Sequence, residues 1–312
     1  MSNVVVAAAL LVWGSMSLLA QLTSDFTPPM GAIRTMGRED DGAWQKRLMI
    51  ARSEDGLHFE RTHTIITDQA NVPDLVKDGE GRLYLYYSGG TVGERSNVIA
   101  VAISEDEGAS WVFKYVDIAG AERMPNPNDP DVRILPDGTF RLYFTSAEPG
   151  SRVPAIFYAD GTDGMHFEFR GVAFRQAEQP TLDSFTVPIG DTWHMYTLGR
   201  TLDALPHAVS KDGENFALLE LARFEANARL YIPTNELVLE DGTVRFYAFR
   251  PGPGGDIRSF LTEDGFQWEE EEGVRLALDT ESGLEKSFVK DVAVIQLSDG
   301  SYLMVYCTVI PE

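Results

Sequence analysis

An acidic turn recurs five times along this chain. SEDGLHF at residues 53–59 returns as SEDEGASW (104–111), DGTDGMHF (160–167), SKDGENF (210–216) and TEDGFQW (262–268). The aligned acids are Asp55, Asp106, Asp163, Asp212 and Asp264, so the steps between them are 51, 57, 49 and 52 residues. Self-similarity at such a period means a stacked or radial architecture, with one supersecondary unit per repeat.

A second unit lies between the turns. PDLVKDGEGRLYLYYSG (73–89) is matched by PDVRILPDGTFRLYFTS (130–146), and more loosely by stretches beginning at Leu182, Asn235 and Lys290. Each reads as a short apolar strand, a turn containing Asp or Gly, and an alternating aromatic strand, which suits a hairpin in a half-buried sheet. A third strand leads into each acidic turn and a fourth follows it. Four-stranded antiparallel repeats of this length build a β-propeller. The first turn has no inner hairpin before it, and the last hairpin, near Asp291 and Tyr302, has no turn after it. Joining them in a composite N-/C-terminal blade closes an all-β, five-bladed ring and removes exposed sheet edges. Residues 46–312 form this single domain, and residues 21–45, with Pro28 and Pro29, read as a loop.

Composition narrows the partners. With 26 Lys and Arg against 48 Asp and Glu, the formal net charge is -22. Such a surface repels phosphate backbones and anionic lipid heads, so nucleic acid is a poor partner, while neutral sugars, cationic ligands and metal ions remain open. Residues 4–20 are uncharged and apolar, the pattern of a signal peptide cleaved near Ala20, which predicts a secreted or periplasmic protein with no membrane attachment after removal. An uncleaved anchor is the alternative. Cys307 is the one cysteine and reads as a small buried hydrophobe.

The repeated turn resembles the Asp-box of sialidases and related propellers, S-x-D-x-G-x-x-W, although four copies lack the residue between Asp and Gly. Asp and Ser in such a turn bond nearby backbone amides, and Gly takes the left-handed position. The turns are therefore scaffold, and strand order puts them on one face. The opposite face collects the starts of the innermost strands, all acidic: Asp74, Asp131, Asp183, Glu236 and Asp291. Five converging carboxylates repel one another unless protons, a cation or ligand hydroxyls relieve them. The plainer alternative is that each acid caps backbone amides at a strand start.

Acids heading the innermost strands, the DPDV run and the following aromatic strand together resemble the five-bladed glycosidase superfamily of arabinanases, β-xylosidases and fructosidases, over about residues 45–310. The resemblance implies an Asp base, a middle Asp that tunes its neighbour, and a Glu general acid on successive blades. Asp131, Asp183 and Glu236 match that order. Asp74 is the alternative base, with Asp131 then the middle acid. Two carboxyls flanking a glycosidic oxygen are what such hydrolysis requires.

Further residues are candidates for substrate binding: Asp291 at the ring, Trp44 as a sugar-stacking platform, His207 at the start of a third strand, and Arg34, Arg200 and Arg250 as a clamp for an acidic sugar. No organic cofactor is implied. The oxygen-rich run from Asn126 to Asp131 offers ligands for a structural Ca²⁺, without a recognised loop spacing. Three readings follow: a glycoside hydrolase, a propeller that binds glycans or a protein without turnover, and a sialidase-like hydrolase.

Overall fold

The computed structural model describes residues 22–33, 42–177 and 179–312. The signal-peptide segment and Arg34 lie outside the described residues. Among the described residues the structure is all-β apart from one 3-10 turn at Ala43–Gln45, and the strands form five small sheets arranged as a propeller.

Blade 1 has its innermost strand at Ala70–Lys77, blade 2 at Asn128–Ile134, blade 3 at Leu182–Ile189 and blade 4 at Arg229–Val238. Blade 5 is the expected composite. Its innermost strand, Lys286–Gln296, is followed by Tyr302–Val309, which pairs along its whole length with the N-terminal strand Lys46–Ser53. Glu60–Asp68 completes it. Blade 2 gains a short parallel strand, Asp117–Ala119, and blade 4 gains Phe224–Ala226 and Leu276–Ala277. These extra strands are too short and too irregular in pattern to be read from sequence alternation.

The acidic turns hold themselves together and hold the blades to one another. In the first, Asp55 Oδ1 accepts the amides of Leu57 and His58, each at 2.8 Å, and Ser53 Oγ accepts the Gly56 amide at 2.9 Å. Asp212 and Asp264 repeat this with their own turns. Gly56, Gly108, Gly164, Gly213 and Gly265 all take φ between 68° and 83°. Four of these glycines then accept a hydrogen bond across a blade boundary. Tyr86 Oη donates to the Gly164 carbonyl at 2.7 Å and Tyr247 Oη to Gly56 at 2.7 Å, while Tyr143 and Tyr196 reach Gly213 and Gly265. These tyrosines are buried in the second strand of each preceding blade. On blade 5 the corresponding position is Val305, and Gly108 packs against Leu303 instead. A Tyr196→Phe variant leaves the Gly265 carbonyl unsatisfied, and urea unfolding is expected to show a loss of about 1–3 kcal/mol.

Candidate functional site

Every innermost strand carries a β-bulge near its start. The register shifts between Asn71 and Asp74, Asn128 and Asp131, Leu182 and Phe185, Pro233 and Asn235, and Lys290 and Ala293. Aligned through their partner strands, Val72, Asp129, Asp183, Pro233 and Asp291 stand at one level. Asp74, Asp131, Phe185, Asn235 and Ala293 stand two residues further along. The acids at the strand starts therefore do not form one ring; they divide into an upper and a lower layer.

Asp129, Asp183 and Asp291 form the upper layer, each in the left-handed region with φ of 51°, 47° and 44°. Asp tolerates that conformation. Val72 adopts the same φ, 47°, which for a β-branched residue is strained. Hydroxyls of the preceding blade fix the two acids of blades 2 and 3. The Asp129 amide donates to Ser88 Oγ at 2.8 Å, and the Asp183 amide to Thr145 Oγ1 at 3.1 Å. The Asp129 and Asp183 carboxyls are hydrogen-bonded to each other. Burial raises both, and the Asp129 charge adds to the effect on Asp183, which lies well above the usual carboxylate range. Such a pair shares a proton, because two like charges in contact do not both ionise. Asp291 is on blade 5, across the axis, with its Oδ2 at 2.9 Å from the Lys290 ammonium.

Asp129, Asp183 and Lys290 border a cavity of about 470 Å³, lined also by Trp44, Ser88, Asn71, Asn97, Asn126 and Asn128, whereas Asp291 faces a smaller space beside it. The Trp44 ring lies on the backbone at Gly90. A Cβ there would stand 2.9 Å from Cε3 of the indole, so only glycine lets the ring sit this close.

The lower layer contains Asp74, Asp131 and Glu236, gathered around Arg133. The guanidinium lies 3.1 Å from Asp131, 3.2 Å from Glu236 and 3.7 Å from Asp74, and its Nε donates to the Thr186 carbonyl. Asp74 also accepts the Val132 amide at 2.5 Å, and the Thr186 hydroxyl donates to Asp131. Asn235 makes the corresponding bond to the Val294 amide at 2.8 Å. This level thus staples neighbouring innermost strands. Asp131 and Glu236 are each pushed up to about 7 by burial, against the pull of Arg133, with the Asp74 charge adding to the rise.

The structure therefore brings Asp183 and Asp291 to the upper layer with Asp129 and Lys290, and Trp44 to the cavity wall. It places Asp74, Asp131 and Glu236 below, on Arg133. His207 is buried between blades 3 and 4, away from the axis. It stacks on Tyr196 at 4.4 Å and lies 3.0 Å from His194 Nδ1. It falls there because the third strand of a blade is set back from the channel. The proposed arginine clamp does not gather: Arg250 is tied to Asp256 at 2.8 Å, Arg200 is exposed, and neither lines the cavity. Among the described residues, no group of three or more His, Cys, Asp or Glu side chains has an arrangement that holds a metal ion.

No protein-family model matches the sequence, and no curated protein matches it significantly. Solved structures do match. A thermostable family-43 glycoside hydrolase superposes with a TM-score of 0.59 at 14% identity, over 77% of this chain and 88% of that one. The chain has the fold of the five-bladed propeller glycosidases. An endo-1,4-β-xylanase from Bacteroides thetaiotaomicron gives a TM-score of 0.58 at 17% identity, covering 75% and 82%. An N-acetylgalactosamine deacetylase from F. plautii, solved with a blood group B trisaccharide, gives 0.57 at 13% identity, covering 80% and 81%.

Two consequences of the lower layer are measurable. Arg133→Met leaves three buried carboxyls without a cation and is expected to cost about 3–5 kcal/mol at neutral pH, less at pH 5 where protons replace the lost charge. In the wild type, Asp131 and Glu236 titrate near 7 when folded, above their ordinary 3.8 and 4.5. The folded state then binds more protons between those values, so this pair's contribution to stability falls as pH rises through the window. Asp131→Asn removes part of that slope, and its stability relative to wild type should improve from pH 4.5 to 7.5 in urea melts; parallel curves would contradict the assignment.

Proposed function

We propose that this protein is an exported glycoside hydrolase acting on a neutral saccharide. The observation that carries the proposal is the hydrogen-bonded Asp129–Asp183 pair at the cavity wall, with the ion-paired Asp291 across the axis. Burial and the neighbouring Asp129 charge raise Asp183 well above the usual carboxylate range, toward the protonated state a general acid needs. Asp183 protonates the departing sugar oxygen, and Asp129 holds the proton on it. Asp291, paired with Lys290 and bordering the smaller space beside the cavity, takes the proton of the attacking water. Asp131 and Glu236, matched to this chemistry by residue order together with Asp183, and the alternative base Asp74 lie beneath, held on Arg133.

The cavity lining supports the substrate class. Asn71, Asn97, Asn126 and Asn128 each offer an amide donor and acceptor, which suit sugar hydroxyls, and Trp44 offers a flat apolar face. The absence of an arginine clamp among the described residues lining the cavity favours an uncharged sugar over an acidic one. The apolar, uncharged leader at residues 4–20 supports export.

One observation favours a second reading, glycan binding without turnover. The upper layer carries Val72 where blades 2, 3 and 5 carry Asp, so the first complete blade supplies no carboxylate at that level. A screen against aryl glycosides and natural oligosaccharides separates the two. Hydrolysis by the wild type, with kcat reduced about 10²–10⁴-fold in Asp183→Asn and an unchanged melting temperature, is the expected result. Sugar binding that survives in Asp183→Asn, with no turnover by either protein, would establish the binding reading instead.

A further inference from the structure

Between the two layers lies a second, smaller space of about 30 Å³. That is about the volume of one water molecule. Asp183 is the one carboxyl that borders both this space and the large cavity. Asp291 borders it from across the axis, and Asp74 and Asp131 from below. Ser184 borders it too, its Oγ closed off from solvent beside the Asp131 carboxyl. Asp291 Oδ2 is equally enclosed, 2.9 Å from the Lys290 ammonium. A space of this size lined by several polar groups is one that an ordered water fills.

We propose that one water held in this space by Ser184 returns a proton from Asp291 to Asp183 at the end of each catalytic cycle. The inference rests on the hydrolase reading. In that reaction the bond between the anomeric carbon and the leaving oxygen breaks, and Asp183 gives its proton to that oxygen. The attacking water forms the new carbon–oxygen bond and gives its proton to Asp291. The cycle therefore ends with Asp183 ionised and Asp291 protonated, one proton out of place. The enclosed water takes the proton from Asp291 while giving one of its own to Asp183, and no other reactant is consumed. The large cavity is the alternative route to solvent, but product occupies it at this stage. Ser184 is a positioning residue here, since it touches the water and not the sugar. The charged groups facing the path are Asp129 and Lys290 above, and Asp74, Asp131 and Arg133 below.

Steady-state kinetics of Ser184→Val and Ser184→Ala test the path. Valine removes the hydroxyl and fills the space, so kcat should fall about tenfold or more while kcat/KM, which begins from enzyme already reset, stays within about twofold. Product inhibition should become noncompetitive, and added imidazole should restore kcat by carrying the proton from outside. Alanine leaves room for the water and should give a smaller fall in kcat. A merely structural role would lower kcat and kcat/KM together without imidazole rescue, and that result, or no change in either variant, overturns the proposal. If the wild type cleaves no saccharide, the hydrolase reading fails on its own account. The shared water is then read by infrared difference spectroscopy, where the Asp183 carboxyl band should move in both Asp291→Asn and Ser184→Val; a band unmoved in both overturns it.

Discussion

A single guanidinium at the propeller axis holds together groups that would otherwise repel. Arg133 projects from blade 2 and meets Asp74 of blade 1, Asp131 of its own strand, the Thr186 carbonyl of blade 3 and Glu236 of blade 4. Three carboxyls and one cation leave a charge excess, which the protein relieves by protonation, as the raised values of Asp131 and Glu236 show. Buried clusters of this kind contribute little net stability but are costly to break. The interaction fixes how four innermost strands approach the axis, and hence where the acids above them stand.

The upper layer repeats the same composition with a different outcome. Asp129, Asp183 and Asp291 are again three carboxyls with one cation, Lys290. Here Asp129 and Asp183 open on the large cavity and Asp291 on the smaller space beside it, and the bulges hold all three in left-handed backbone conformations that Asp accepts readily. The lower layer closes the floor of the site and places negative charge beneath it. Asp183 is raised by its own burial and by the neighbouring charges of Asp129 and Asp291, which favours its protonated form.

The architecture was readable in the sequence because each blade repeats the same local chemistry. The spacing of Asp55, Asp106, Asp163, Asp212 and Asp264 counts the blades, and the orphan hairpin near Tyr302 completes the orphan turn at Ser53. The site was less readable, and the reason is register. A β-bulge adds one residue and changes which side chains share a level, and residue types alone do not reveal it. Within Asn128-Asp129-Pro130-Asp131, the pattern singled out Asp131, whereas Asp129 is the acid level with Asp183. Arg133 left a trace: it is a charged residue between Val132 and Ile134, two residues after Asp131, where alternation puts both charges on one side. His207 misled because a polar residue in a third strand can face a neighbouring blade as easily as the channel, and here its partners are Tyr196, His194 and Glu220.

The central claim is that the upper layer, and not the lower one, meets the substrate. A crystal structure of the Asp183→Asn variant with its best-bound saccharide tests it most directly. The account predicts a sugar ring over Trp44, hydroxyls on Asn71, Asn97, Asn126 or Asn128, and a glycosidic oxygen in hydrogen-bond reach of residue 183, with Arg133 still closed on Asp74, Asp131 and Glu236. A saccharide bound away from this cavity, or one that parts the Arg133 cluster and touches Asp131 or Glu236, would contradict it.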